Sequence, residues 1–285
     1  MILSMNQDVT IIILTHKSKN LALNYIKYLY KKFKIIIVDN SNDTDLKFEI
    51  LNNYPEVEIH LIANNGYGNA INYGSKFVKT EYFLISNPDI IGIEKKSILD
   101  FVNAARKLNN KFSAMGPRFL DADPKSHKQT KDNNDISLMK FISGACMFFN
   151  KVNFDQLNGF DENFFLYFEE NDFCLRSFKI NKNYQINNIK VKHHVGTSVE
   201  IQNESEKIAQ SNLRTWHFIW SKFYYYKKHY GFILAIIYFF PIIIRINFRV
   251  LFYKIKKDKK NIMKYEIRRS GLYSSILNHK SSKRI

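Results

Sequence analysis

Acidic side chains in three places could do chemistry. The stretch Gly159–Arg176, GFDENFFLYFEENDFCLR, sets five carboxylates (Asp161, Glu162, Glu169, Glu170 and Asp172) among six aromatic rings. Carboxylates beside apolar rings are costly to ionise unless something pairs with them. Such a mixture suits a site that handles protons or a metal. It also fits an amphipathic helix entry whose acids sit at the positive end of the dipole. On a helix beginning near Phe168, Glu169, Asp172 and Arg176 share one face by the i, i+3, i+4 rule. Glu170 points about 100° away. One face can be tied to Arg176 while Glu170 is left free as a general base, with Glu169 or Asp172 as its orienting neighbour.

The second place is Asp39, at the end of the apolar run KIIIVDN. Its carboxylate could accept the N3–H of uracil or thymine, or it could cap the chain that follows at Asn40–Asp45. The third is Asp89, which follows Pro88. A lone aspartate there suits Mg²⁺ or Mn²⁺, ions that take most of their ligands from phosphate and water. His193 or His194 could add an imidazole, which Mn²⁺ tolerates better than Mg²⁺, although a histidine pair can equally be structural.

These residues need elements to position them. VTIIILTH at 9–16, KIIIVDN at 34–40, EIHLIA at 58–63 and YFLISNPD at 82–89 are apolar runs of the kind that doubly covered strands show. Helical spacing separates them, at Leu21, Tyr25, Tyr28 and Leu29 and again at Ile98, Phe101, Val102 and Ala105. Ser97 with Asp100 reads as the capping box of the latter helix. The alternation predicts a parallel α/β sheet with right-handed crossovers and with its ligands at the strand ends. Those ends are Thr15–His16, Asp39–Asn40, Asn64–Asn65 and Asn87–Pro88–Asp89. No G-x-G-x-x-G follows the first strand, which argues against a Rossmann dinucleotide site, and the GYG at 66–68 is too short to be a phosphate loop by itself. After residue 110 the pattern loosens. Residues 121–137 read as a polar surface loop, 139–150 as one strand around a Gly-Ala kink, and the run from Tyr184 as a strand ending on His193 and His194.

The chain has 285 residues, 45% hydrophobic and 15% aromatic, enough for one large or two modest domains. Cys146 and Cys174 are too few for a disulfide framework, and the first residues lack a signal peptide's basic region, so a cytoplasmic protein is expected. The net charge of +17 is unevenly placed: residues 206–285 hold 18 Lys/Arg against 3 Asp/Glu. A boundary near Ser205 is expected, with residues 1–205 catalytic and 206–285 a basic helical extension. Within it FILAIIYFFPIII, 232–244, is short of the ~20 residues of a spanning helix and is broken by Pro241. Flanking aromatic and basic groups favour a helix lying on the inner face of an anionic membrane. Nucleic-acid binding would also draw on the charge, but an aliphatic run suits lipid better. A nucleotidyltransferase would need a phosphate-cradling loop after the first strand, where KSKN offers only lysines.

Taken in order, VTIIILTH, IIIVDNSND, NNGYGNAINYG, ISNPD, ISGACMFF, GFDENFFLYFEENDFCLR and HHVGTS resemble glycosyltransferase family 2, in its bacterial rhamnosyltransferase-like branch, from about Val9 to Tyr230. The resemblance implies a GT-A fold, a mixed sheet with flanking helices, and inversion at the anomeric carbon of a nucleotide sugar with help from a divalent metal, Mn²⁺ or Mg²⁺. It places Thr15, Asp39, Asn65, Gly66, Asn87 and Asp89 on the donor side, with Asp39 on the pyrimidine. It places Asp89 and His193 on the metal, His193 being the histidine five residues before a serine (Ser198). The family's acidic pair falls on Glu169–Glu170, the second being the base, with Glu where Asp is usual and with Glu169 or Asp172 as substitutes. Gly144 and Asp161 fall on the acceptor side, and His16 stands where the family usually has Tyr. The expected reaction moves a sugar, rhamnose by the branch, from a dTDP- or UDP-sugar to a hydroxyl of a lipid-linked or polysaccharide acceptor in cell-envelope glycan synthesis.

Overall fold

The computed structural model describes residues 6–121, 130, 134–193, 199 and 203–284. The chain divides into two compact units, Met1–Asp161 with Glu169–Glu200 and Glu162–Phe168 with Ile201–Ile285.

The first unit is built on β1 (Asn6–Thr15), β2 (Phe33–Asp39), β3 (Glu58–Leu61), β4 (Tyr82–Ser86), β5 (Ile90–Ile91), β6 (Phe112–Phe119), β7 (Ile136–Met139), β8 (Cys146–Asn150) and β9 (Lys182–His193). Their order is β3-β2-β1-β4-β8-β6-β9-β5, with β7 paired to β9. The first four strands of that order run parallel. The next strand, β8, is antiparallel to both β4 and β6, which makes the sheet mixed. Side chains alternate across a strand, so the apolar runs supply two cores. Ile11, Ile13, Ile35 and Ile37 face α1 (Lys19–Lys27), α2 (Thr44–Asn53) and α4 (Lys95–Lys107). Ile12, Ile36, Val38 and Phe83 face α3 (Tyr67–Ser75), α5 (Lys151–Gln156), Phe160 and α6 (Glu169–Ser177). Each fully buried side chain of this size is worth about 1.5–3 kcal/mol.

The structure corrects several expectations. Phe112–Phe119, FSAMGPRF, is a strand inside the sheet although Ser, Gly and Pro lower its local propensity. Burial on both faces decides it, and Pro117 sits at a register shift, where the ladder is already interrupted. Residues 139–150 are not one strand: β7 ends at Met139, β8 begins at Cys146, and a turn lies between. The polar stretch 121–137 ends in the first residues of β7, with 122–129 and 131–133 outside the described residues. The capping box of α4 lies three residues earlier than expected, with Glu94 at the N-cap and Ser97 at the third position.

The second unit carries α7 (Glu204–Tyr230), α8 (Phe232–Ile255) and α9 (Lys259–Ile276), packed around Ile219, Phe223, Ala235, Phe239, Ile246 and Leu272. Asn203 caps α7 by accepting from Glu206 N at 2.9 Å, and Asp258 caps α9 by accepting from Asn261 N at 3.1 Å. A Cβ on Gly271 would stand 2.6 Å from the Trp216 carbonyl, so α7 and α9 cross at a distance that only glycine permits. Pro241 does not break the apolar run. The ring sits inside a continuous 24-residue helix, at the cost of one i→i−4 hydrogen bond. That helix is long and apolar enough to cross a membrane, and 22% of its most apolar window is buried.

His217 of α7 ties down the end of the chain. One ring nitrogen donates to the Lys283 carbonyl at 2.9 Å, and the other accepts from Ser281 Oγ at 2.8 Å. Burial, with Arg284 and Lys283 beside it, pulls its pKa down to about 4, against the Lys283 hydrogen bond that raises it. The folded state therefore binds fewer protons than the unfolded one between pH 6.5 and 4. The stabilisation is present above about pH 6.5 and is lost as the pH falls through about 4. Melting temperatures of the full chain should drop over this window, and the drop should be smaller in His217→Gln.

Candidate active site

Strand register sets the rim. β1 pairs Thr15 with Asp39 on one side and Ile13 with Ser86 on the other, so three strand ends come level. Asp39 is fully buried. Its Oδ1 accepts from the backbone N–H of Ser41 at 2.9 Å and of Asp43 at 3.0 Å. Its Oδ2 accepts from Thr15 Oγ1 at 2.8 Å and from Ser41 Oγ at 3.0 Å. The carboxylate holds the turn after β2, while the N-cap of α2 is Asp43, which accepts from Leu46 N at 2.8 Å. Of the two oxygens, Oδ1 is fixed by backbone donors, whereas Oδ2 meets hydroxyls that can rotate away.

Beside it runs a chain of hydrogen bonds that sequence reasoning missed. His16 Nδ1 meets Asn40 Oδ1 at 2.7 Å, Asn40 Nδ2 donates to Asn64 Oδ1 at 3.2 Å, and Gly66 N donates to the same oxygen at 3.3 Å. It joins the ends of β1, β2 and β3 to the start of α3. A polar residue at each strand end was the signal available. Gly66 caps α3 at φ 108°, a conformation that suits glycine, and Asn65 beside it is exposed. Asn87 is half-buried and pinned through its N–H to the Ala145 carbonyl at 2.9 Å.

Asp89 and His193 come together. The short antiparallel pairing of Ile90 with His193 aligns them, and His193 Nε2 lies 3.4 Å from Asp89 Oδ1. The Asp89 side chain is buried, and neither of its oxygens accepts a hydrogen bond. A desolvated carboxylate that accepts no hydrogen bond is expensive, and a carboxylate with an imidazole is a donor set that a divalent cation fits. Among the described residues no group of three or more His, Cys, Asp and Glu gathers for a metal. His194 and Ser198 lie outside the described residues.

The acidic pair opens α6. Asp172 is fully buried and accepts from Arg176 Nε at 2.8 Å. Arg176 also donates to the carbonyls of Leu157 at 2.5 Å and Gly159 at 2.7 Å. Asp172 is thereby committed to a clamp on the loop before the acid stretch. Asn72 clamps the same loop from α3, exchanging two hydrogen bonds of 2.9 Å with the Phe160 backbone. Glu169 is buried with one oxygen unpartnered. Burial first, then the neighbouring Glu170 charge, pushes its pKa well above the carboxylate range, against a backbone hydrogen bond. Glu170 is half-buried and accepts from Asn171 Nδ2 at 3.1 Å. A Cβ on Gly144 would stand 3.4–3.8 Å from Cβ, Cγ and Cδ of Glu170, so the backbone at Gly144 lies against that side chain. Asp161 is half-buried at the end of the loop.

Tyr67, at the start of α3, was not anticipated. Its hydroxyl donates to the Gly144 carbonyl at 2.6 Å. Burial and the charges of Glu169, Glu170, Cys146 and Asp89 hold its pKa well above the usual value, so it stays a donor. A Cβ on Gly68 would meet Phe160 Cβ at 2.9 Å, so α3 approaches the acid stretch at glycine distance.

A family model described as Glycosyl transferase family 2 matches residues 10–184. The chain is 25% identical over 205 residues to the low-salt glycan biosynthesis hexosyltransferase Agl10 of Haloferax volcanii, over 63% of this chain and 64% of that one. It is 25% identical over 207 residues to an uncharacterized glycosyltransferase of Rickettsia typhi, over 68% of this chain and 63% of that one. The matches thus span a little under two thirds of these relatives. Among solved structures, Staphylococcus aureus TarS 1–349 superposes with a TM-score of 0.54 at 12% identity, over 93% of this chain and 92% of that one. GalNAc-T7 with UDP, GalNAc and Mn²⁺ superposes with a TM-score of 0.52 at 11% identity, over 77% and 49%. The expected GT-A fold is present, and nothing in these likenesses supports nucleic-acid binding.

Proposed function

We propose that this chain, which belongs to glycosyl transferase family 2, moves a sugar from a dTDP- or UDP-sugar to a hydroxyl of a glycan or lipid-linked glycan, with inversion at the anomeric carbon. The observation that carries this reading is the buried carboxylate of Asp89, which accepts no hydrogen bond, with His193 at 3.4 Å. Such a pair would hold a divalent ion, which when bound neutralises charge on the departing diphosphate.

The chain's own residues do the rest. Glu170 takes the proton of the acceptor hydroxyl as that oxygen attacks the anomeric carbon from the face opposite the diphosphate. Burial raises the pKa of Glu169 well above the carboxylate range, and environments that push paired acids apart separate their roles. Tyr67 and Gly144 brace Glu170, and the Asp172–Arg176 clamp fixes the helix that carries it. On the donor side, a pyrimidine N3–H would reach Oδ2 of Asp39 by displacing the Ser41 hydroxyl, beside Thr15, Asn65 and Gly66. Uracil and thymine offer the same N3–H edge; the branch resemblance favours dTDP-rhamnose, and the GalNAc-T7 structure was solved with UDP. Screening nucleotide sugars for thermal stabilisation with Mn²⁺ selects the donor. Release of free nucleoside diphosphate supports transfer, and release of pyrophosphate would reject it.

The second unit suits attachment to the cytoplasmic face of an anionic membrane, where a lipid-linked acceptor would lie. Ile233, Ile237, Phe240, Ile244, Phe248, Leu251 and Ile255 of α8 are each more than half exposed and recur every three or four residues. They form an uncharged stripe, with Arg245 and Arg249 about 100° or more from its midline. An exposed apolar face with cations beside it matches an interfacial helix, and arginines within a spanning helix would be costly. The variant Ile237→Glu/Ile244→Glu should release the protein from anionic vesicles in flotation. Unchanged flotation would remove this part of the proposal.

A further inference from the structure

The second unit holds a cavity of about 670 Å³ between its three helices, and its walls carry five cationic side chains. Arg214 and Lys222 come from α7, Arg245 and Arg249 from α8, and Arg268 from α9, with Tyr265 beside them. Sequence spacing puts them there: 214 and 222 are two turns apart on one face, and 245 and 249 one turn. No ion pair joins any of the five to a carboxylate among the described residues. Acids of the same unit are used elsewhere: Glu266 pairs with Lys254 at 3.0 Å and lies 3.8 Å from Arg269, and Asp258 caps α9.

Like charges gathered around one cavity repel one another, and solvated lysines serving solubility alone would spread over the surface. Four of the five are half-buried, which adds desolvation to the repulsion. Two of the guanidinium groups are also held in place. Arg249 donates to Tyr253 Oη at 3.2 Å and lies over that ring, and Arg268 lies 5.6 Å over Tyr265. Arginines fixed by aromatic faces present the fork that grips phosphate oxygens in pairs. None of these residues belongs to the catalytic set.

We infer that this cavity is a binding site for a phosphate or diphosphate group, whether that group heads a lipid or is free in solution. Basic pockets between helices at a membrane surface bind such head groups. The anion could equally be a free diphosphate, and the two sources are separable.

The test uses the full chain with EDTA present, so that the Asp89–His193 pair contributes no binding. Inorganic pyrophosphate is titrated calorimetrically, and vesicles carrying phosphatidic acid are compared in flotation with vesicles carrying phosphatidylglycerol at matched surface charge. Pyrophosphate is expected to bind saturably, and Arg249→Gln/Arg268→Gln should weaken it at least about tenfold. The variant Lys256→Gln/Lys280→Gln, which removes the same charge outside the cavity, should leave it unchanged. Arg268→Lys, which keeps the charge and the fold but not the fork, should weaken it several-fold. Preference for phosphatidic acid that depends on Arg249 and Arg268 identifies a lipid head group; pyrophosphate binding without that preference identifies a soluble diphosphate. Equal weakening by the two double variants, or no binding of either probe, would overturn the inference.

Discussion

Glu170→Gln should lower turnover by roughly 10²–10⁴-fold, the range that a positioned general base contributes, while donor affinity stays close to that of the native chain. The amide keeps the shape and the packing against Gly144 but cannot accept the acceptor's proton. The comparison with Glu169→Gln makes the result specific. Burial pushes the Glu169 pKa up and so favours its neutral form, and replacing it with another neutral group should cost far less turnover. Asp172→Asn should behave differently again. It removes one partner of a buried ion pair and leaves Arg176 without its carboxylate, a change worth about 3–5 kcal/mol of stability. Its loss should appear first in the melting temperature. Release of nucleoside diphosphate in the presence of a membrane fraction reads all three. Near-normal turnover in Glu170→Gln, or a larger loss in Glu169→Gln, would move the base to the other member of the pair.

Asp89→Asn should abolish metal-dependent activity, with a loss of at least ~10²-fold, since charge stabilisation by a bound ion is worth several kcal/mol. EDTA should do the same to the native chain, and Mn²⁺ or Mg²⁺ should reverse it. The stability change is expected to have the opposite sign. Neither Asp89 oxygen accepts a hydrogen bond, so in the metal-free fold the buried carboxylate's charge is met by the His193 imidazole at 3.4 Å but by no hydrogen bond. Removing that charge should raise the melting temperature or leave it unchanged, in keeping with sites whose residues are strained for function. A lower melting temperature together with full activity in EDTA would assign Asp89 to the scaffold.

The parallel half of the sheet was legible because its strands are uninterrupted apolar runs, VTIIILTH and KIIIVDN above all, that a sheet covered on both faces requires. The strand at Phe112–Phe119 was not, since Gly116 and Pro117 belong there only through a tertiary pairing with β8 and β9. The kinked run at 139–150 failed for a related reason: a turn at Ser143–Ala145 carries the backbone that meets Asn87 and Glu170, and periodicity is blind to such contacts. Helical spacing did place Asp172 on Arg176 and turned Glu170 away from them. Spacing could not tell that Glu169 would be sealed from water, because the groups that bury it come from distant parts of the chain. Tyr67 stayed hidden for the same reason, its partner being the carbonyl of Gly144 far along the sequence. The proline at 241 misled in the other direction, since a helix packed through Ala235, Phe239 and Ile246 tolerates the loss of a single backbone bond.

Manganese binding followed by electron paramagnetic resonance, with and without UDP or dTDP, tests the central claim without requiring the acceptor. Nucleoside diphosphate and Mn²⁺ are expected to bind together to the native chain and to Glu170→Gln, with Asp89→Asn losing the bound-ion signal and His193→Ala weakening it. Equal Mn²⁺ and nucleotide binding by the native chain and Asp89→Asn would contradict the claim.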